Sequence, residues 1–185
     1  FGEWRLNFEP GSRFEYHPTS SMYVIAEIVE RLSGETFLDL VVNRITGPLG
    51  LDDLYVGLPD AQNSRVATVS MVGEPPTAQD YLDRGLPVPP ATEVTPDALL
   101  SFNRPDVRAA GVPGGGGIST AAGLALFYQA LLNGGGSLDR PNVWTQDTLD
   151  YALQVRSGGL TDPAYGKPVN RALGVVVAGE ENRNV

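Results

Sequence analysis

Few side chains here could do covalent chemistry, and their types set the options before any fold is considered. The chain has no cysteine, which removes thiol nucleophiles, disulfides, zinc ribbons and iron–sulfur clusters from its repertoire. His17 is the only histidine, so multi-histidine metal sites are excluded. The scattered carboxylates Asp52, Asp53, Glu180 and Glu181 read as solvated surface, because burying such charges unpaired is costly. Neither a metal nor an organic cofactor is implied. The run Gly114 to Gly117 leads to Ile118-Ser119-Thr120 and lacks the Gly-Lys-Ser/Thr of a phosphate loop. Gly117-Ile118-Ser119-Thr120-Ala121 comes within one residue of a G-x-S-x-G nucleophile elbow, with Ala121 in place of the last glycine. An elbow needs a strand before the serine and a histidine after it. No strand is legible there and His17 comes far earlier, so Ser119 is assigned to capping a helix. What remains is Tyr16-His17-Pro18, directly before a helix, where a side chain can project into a cleft. Taken alone, Tyr16 reads as a packed or hydrogen-bonding aromatic.

The elements that must position these residues are those of an acidic chain with an ordinary globular composition. Its 185 residues carry 13 Lys and Arg against 22 Asp and Glu, a formal charge of -9, and Lys167 is the only lysine. A polyanion is gripped by clustered cations, so nucleic acid and anionic membrane surfaces are excluded as partners. With 42% hydrophobic and 19% charged residues the chain suits one domain with a core. No run approaches the roughly 18 apolar residues of a membrane span.

Met22, Ile25, Val29 and Leu32 recur at spacings of three and four, which predicts a helix over 20–32. Thr19 or Ser20 would cap it, Glu27 and Arg31 would pair on its surface, and Ser33-Gly34 would stop it. Thr36 and Asp39 resemble a capping box opening a second helix, with Phe37, Leu40, Val41 and Ile45, ended by Gly47-Pro48 and packed on the first. From Leu49 to about Val94 the periodicity decays into pieces cut by glycine and proline, and Glu74 to Pro90 is marked as a cleft wall. Thr95-Pro96 predicts a short helix to about Phe102. Leu124, Phe127, Tyr128 and Leu131 form one face of a further helix, and another starts near Thr145. Ala172 to Ala178 is valine-rich and predicts a buried strand. One strand cannot satisfy its own backbone groups, so its partners must lie outside the chain or be weakly encoded.

Four segments carry a resemblance when taken in order: Glu9-Pro10-Gly11-Ser12-Arg13-Phe14-Glu15-Tyr16, Ala26-Glu27-Ile28-Val29-Glu30, Pro48-Leu49-Gly50-Leu51, and Gly115-Gly116-Gly117-Ile118-Ser119-Thr120-Ala121. Together they resemble the middle of the serine β-lactamase and penicillin-binding protein superfamily. The branch concerned holds class C β-lactamases, D,D-peptidases and β-lactamase-like esterases. The resemblance spans nearly the whole chain. It implies an α-rich α/β fold, with 1–185 a single incomplete domain: the helical lobe with only part of the antiparallel sheet, including the strand near 172–178.

In that family a P-G-x-x-F-x-Y stretch delivers a tyrosine to the active site, and Tyr16 holds the matching position. The family's nucleophile lies in S-x-x-K and a third motif, K-T-G or H-x-G, lies on a sheet strand. Neither motif is present: Ala164 stands three residues before Lys167, Lys167-Pro168-Val169 is not K-T-G, and His17-Pro18-Thr19 is not H-x-G. The resemblance thus implies a serine motif upstream of Phe1 and a strand motif downstream of Val185. The isolated chain is then expected to be inactive and to self-associate through its uncovered sheet-facing surface. Tyr16 is the implied catalytic residue, and His17 and Tyr81 are further cleft candidates. A phenol titrating near about 10 is a poor base at neutral pH, and the family supplies lysine ammonium groups to favour its ionised form. The third position of the β-lactamase Y-x-N motif is Pro18, which has no side-chain amide to hold a lactam or peptide group. A small-molecule ester is therefore the favoured substrate, with amide cleavage by a D,D-peptidase or β-lactamase as the enzymatic alternative. A non-catalytic binding or scaffolding member of the same fold is the alternative from another class.

Overall fold

The computed structural model describes residues 2–17, 19–88, 95–134, 136, 139, 142–163 and 165–177. In chain order they form α1 (Ser20–Ser33), α2 (Phe37–Val41), α3 (Gly47–Leu49), β1 (Leu54–Val56), α4 (Ala78–Asp83), α5 (Pro96–Leu100), α6 (Pro105–Ala110), β2 (Gly117–Ser119), α7 (Ala121–Leu132), α8 (Gln146–Ala152), β3 (Thr161–Asp162) and β4 (Lys167–Pro168). Helices dominate and the sheets are short antiparallel ribbons, as expected for part of an α-rich α/β fold. The chain divides into two units, one of Phe1–Tyr16, Val72–Glu93 and Asp150–Val185, the other of His17–Met71 and Val94–Leu149.

The second of these is built around α1, α2 and α7. Gly34 takes a left-handed φ of 74° and its N–H closes α1 on the Glu30 carbonyl at 2.8 Å. Arg31 and Glu27 pair at 2.6 Å, as their spacing requires. Thr19 occupies the N-cap position without a capping bond from its side chain. Instead the Ser21 hydroxyl donates to the His17 carbonyl at 3.0 Å. Thr36 caps α2 by accepting from the Asp39 N–H at 3.1 Å, and the Glu30 carboxylate accepts from the Phe37 N–H at 2.7 Å, tying α1 to α2.

The second helix does not end at Gly47-Pro48. It widens into a π turn over Val42–Thr46, in which the Gly47 N–H reaches back to the Val42 carbonyl, and continues as α3 to a left-handed Gly50. The widened turn places Pro48 in the first turn of a new α segment, where its missing N–H costs nothing.

Strands β1 and β2 pair antiparallel, Leu54 with Ser119, Tyr55 with Ile118 and Val56 with Gly117. Three residues are too few for an alternation to show in sequence, which is why neither strand was legible. Gly57 and Gly111 both have left-handed φ, and a Cβ on Gly111 would lie 2.7 Å from the Gly57 nitrogen. Only two bare backbones can pass this closely. Thr95 caps α5 through the Ala98 N–H at 3.2 Å, and Thr120 caps α7 through the Gly123 N–H at 3.0 Å. The core joins Leu49, Leu51 and Ala130, with Ile45, Leu54, Phe127, Val143 and Trp144 against it. On α7 the fully buried positions are Gly123 and Ala130, while Leu124 and Tyr128 of the expected face stay about half exposed. On α1 only Ala26 is fully buried, and Tyr23, Ile25, Ile28 and Leu32 face solvent.

In the other unit, part of the expected cleft wall over Glu74 to Pro90 is helical: α4 carries a complete capping box between Thr77 and Asp80. Pro89 and Pro90 lie outside the described residues. Strands β3 and β4 pair Thr161 with Pro168 and Asp162 with Lys167. The valine-rich run from Ala172 is not a strand. Gly174, at φ 78°, turns it back on itself, so the Ala172 N–H meets the Val175 carbonyl and the Val177 N–H meets Asn170, both at 2.9 Å. Among the described residues the pairing that results is one antiparallel bridge, Arg171 to Val176, and Ala178 lies outside them. Composition favoured a strand because apolar content and branching do not register one left-handed glycine.

Candidate active site

Phe14 and Tyr16 stand two apart in a stretch without helix, a spacing that in extended chain sends both side chains to one side. The guanidinium of Arg171 lies over both rings, 5.4 Å from each centroid. That is within the reach of a cation–π attraction. Tyr16 is 60% exposed, so its phenol is open to solvent.

Arg171 is itself held from several directions. Its Nε and Nη2 donate to one oxygen of Asp162, Oδ2, at 2.9 and 2.7 Å. Asp162 is only 1% exposed, on β3. A carboxylate so deep in protein must be paired, and a guanidinium is the group best shaped for that pairing. The backbone of Arg171 is pinned as well. Its N–H donates to the buried Ser157 hydroxyl at 3.0 Å, that hydroxyl donates to the Val169 carbonyl at 2.7 Å, and the Arg171 carbonyl accepts from the Arg156 N–H at 2.7 Å. Asp162, Ser157 and Arg171 went unnoticed in the sequence because they lie at the other end of the chain from Tyr16. No periodicity connects them.

The remaining candidates have contacts of their own. Tyr81 is half-buried on α4, where its carbonyl accepts from Arg84 at 3.1 Å and Leu86 at 2.9 Å. Among the described residues no hydrogen bond or ring contact joins Tyr81 to Tyr16 or Arg171. His17 is half-buried, and its carbonyl receives the Ser21 hydroxyl. Pro18 lies outside the described residues. Ser119 does have a strand before it, β2, yet its hydroxyl donates to the Thr120 carbonyl at 3.0 Å. The hollow beside it, about 450 Å³, is lined by Leu54, Gly117, Ile118, Thr120, Ala121, Leu124 and Phe127. A second hollow that Ser119 lines also holds Asp53, Tyr55 and Arg65, and the cap of α7 is Thr120 rather than Ser119, which is paired with Leu54 at the end of β2. Among the described residues no three His, Cys, Asp or Glu side chains gather as a metal site, and no helix is long and apolar enough to cross a membrane.

A family profile described as Beta-lactamase matches residues 1–182. Among solved structures, a penicillin-binding protein homologue from Caulobacter crescentus is similar over 90% of this chain and 43% of its own, at 28% identity and a TM-score of 0.67. A family VIII carboxylesterase is similar over 94% of this chain and 45% of its own, at 26% identity and a TM-score of 0.71. EstA from Arthrobacter nitroguajacolicus Rue61a shares the fold over 94% of this chain and 46% of its own, at 21% identity and a TM-score of 0.71. The chain therefore spans less than half the length of each of these structures. No protein of curated function matches it significantly.

Proposed function

The chain belongs to the beta-lactamase family, and from that premise we propose that it is the central part of a serine hydrolase acting through an acyl-enzyme, with an ester as substrate. The observation that carries this reading is the solvent-open phenol of Tyr16, at the position of the family's P-G-x-x-F-x-Y tyrosine and held by a fixed cation. The nucleophilic serine and the lysine of S-x-x-K come from polypeptide beyond these residues, since neither motif occurs in the sequence.

The chemistry assigned to Tyr16 is proton transfer. With the lysine of S-x-x-K, its phenolate oxygen takes the proton from the serine hydroxyl as that oxygen attacks the ester carbonyl. Collapse of the tetrahedral adduct breaks the bond to the alkoxide, which receives the same proton and leaves as alcohol. Water then attacks the acyl carbonyl and gives its proton to the same base, which passes it to the serine oxygen as the serine–acyl bond breaks and the carboxylic acid leaves. An ester suits this site better than a lactam because an alkoxide needs less help to leave than an amine, and Pro18 brings no amide side chain to hold an amide substrate. The similarity to a family VIII carboxylesterase supports the same choice. The similarity to a penicillin-binding protein homologue favours a second reading, D,D-peptidase or β-lactamase action.

Turnover by the complete enzyme with Tyr16→Phe tests the assignment. A fall in kcat of about 10²- to 10⁴-fold is expected, the usual contribution of a positioned acid–base group. Near-wild-type acylation would remove Tyr16 from the mechanism. This chain alone should hydrolyse nitrophenyl esters no faster than buffer, and saturable, serine-dependent turnover by it would contradict the assignment of the nucleophile to other residues.

A further inference from the structure

We infer that Arg171 is a positioning residue for Tyr16, fixed for that task by the buried Asp162. The inference rests on the catalytic reading of Tyr16 above. It is carried by geometry: one guanidinium lies 5.4 Å from the centroids of both Phe14 and Tyr16 while two of its nitrogens converge on Asp162 Oδ2.

An arginine placed only for stability would need no aromatic on its free side, and a surface arginine would not be anchored at both its backbone and its head. Arg171 has each feature. Its main chain is locked by Ser157 and Arg156, its head by a carboxylate that is 1% exposed, and its guanidinium carbon lies 5.4 Å from the centroid of each ring. A half-exposed phenol on an irregular segment would otherwise sample several rotamers. The planar cation restricts the ring and keeps a positive charge beside it that favours an electron-rich partner. Misplacing a proton carrier by about 1 Å can cost about a hundredfold in rate, so restricting the ring is a direct contribution to turnover. Phe14 completes the arrangement, since the Phe-x-Tyr spacing puts a second ring under the same cation.

Two measurements test this, one on the chain itself and one on the complete enzyme. In the chain labelled with ¹³C at the tyrosine rings, Tyr16 signals assigned through Tyr16→Phe should move and broaden in Arg171→Gln, while those of Tyr23 stay in place. In the complete enzyme Arg171→Gln should lower kcat for a nitrophenyl ester about tenfold with KM altered less than about twofold. Arg171→Lys keeps a charge for Asp162 but loses the plane, so it should recover part of kcat in step with a partial return of the Tyr16 signals. If Arg171→Gln does not fold, Arg171→Lys carries the test, with an intermediate displacement of the ring signals and of kcat. Tyr16 signals unchanged in a folded Arg171 variant would overturn the inference, as would a change confined to KM. Displaced ring signals with full kcat, together with an active Tyr16→Phe enzyme, would instead sink the catalytic reading on which it rests.

Discussion

The unit around Leu49 and Leu51 and the unit around Asp162 are held by different forces. In the first, the core is Leu49, Leu51 and Ala130 with aromatic rings against them, Phe127 meeting Trp144 edge-on at 5.9 Å. In the second, the most deeply buried side chain is the Asp162 carboxylate, tied to Arg171, whose backbone N–H in turn donates to the Ser157 hydroxyl. Apolar burial is strong but non-directional: it brings side chains together and leaves their angles to packing. Charged hydrogen bonds are directional and costly to leave unmade. The candidate tyrosine belongs to the second kind of region. Its side chain needs an orientation, which a greasy contact alone would not supply.

The largest effect that would sharpen this contrast is expected from Asp162→Ala, which strands the Arg171 guanidinium and removes on the order of 3 kcal/mol from its unit. Hydrogen exchange should accelerate across 157–177 more than in α7. Replacing both partners, with Asp162→Leu and Arg171→Met, should restore most of that stability without restoring Tyr16. A double variant as unstable as the single one would mean that the ion pair is not what the carboxylate contributes. Leu51→Ala comes next, at about 2–3 kcal/mol for a cavity in an apolar core, with exchange accelerating in α3 and α7. Equal acceleration in both units from either variant would break the comparison, because the chain would then open as one body. Removing a cap should matter less. Thr120→Ala on α7 and Thr77→Ala on α4 are each expected to lower stability by about 1 kcal/mol, read as a shift in thermal midpoint.

The smallest effects concern acid. Hydrogen bonds from Arg44 and then Asn43 hold the Glu35 carboxyl below its ordinary range, and those from the Thr77 side chain and backbone do the same for Asp80. A carboxyl whose pKa is depressed by folding contributes stability above its unfolded pKa, near 4, and loses it as pH falls through the folded value. Urea titrations between about pH 5 and pH 2 should therefore show a shallower acid-side loss in Glu35→Gln or Asp80→Asn. Asp80 is exposed and Glu35 only half-buried, so the changes should be slight and reduced by salt. A steeper loss in either variant would reverse the assigned sign.

What the sequence could and could not disclose follows from the range of the interactions. Helix α1 was legible because its apolar spacing, the Glu27–Arg31 pair and the Gly34 stop are all local, and the caps at Thr36 and Thr95 for the same reason, while the cap of α7 falls on Thr120, one residue past the expected Ser119. The continuation through Pro48 was hidden because proline normally marks a boundary, and a π turn leaves no compositional trace. β1 and β2 were too short for alternation, and Gly174 undid a strand that its valines advertised. Tyr16 became a candidate only through a resemblance, since one aromatic before a helix is ambiguous. The Arg171–Asp162 pair that holds it could not be found at all, because contact between distant positions is a property of the fold.

The π turn at Val42–Thr46 also takes up one residue more than ordinary winding would. Its five residues sweep about the arc that four sweep in an α-helix at about 100° each, so deleting one position there with a return to α winding would leave Leu49 near its present bearing, whereas a deletion from the α portion would turn it by about that angle from Ala130. Gly47 cannot drift either, for a methyl group on it would sit 2.7 Å from the Val42 carbonyl oxygen. Residue count is therefore most constrained in the α segments on either side, where an insertion or a deletion would be read by the core as a rotation.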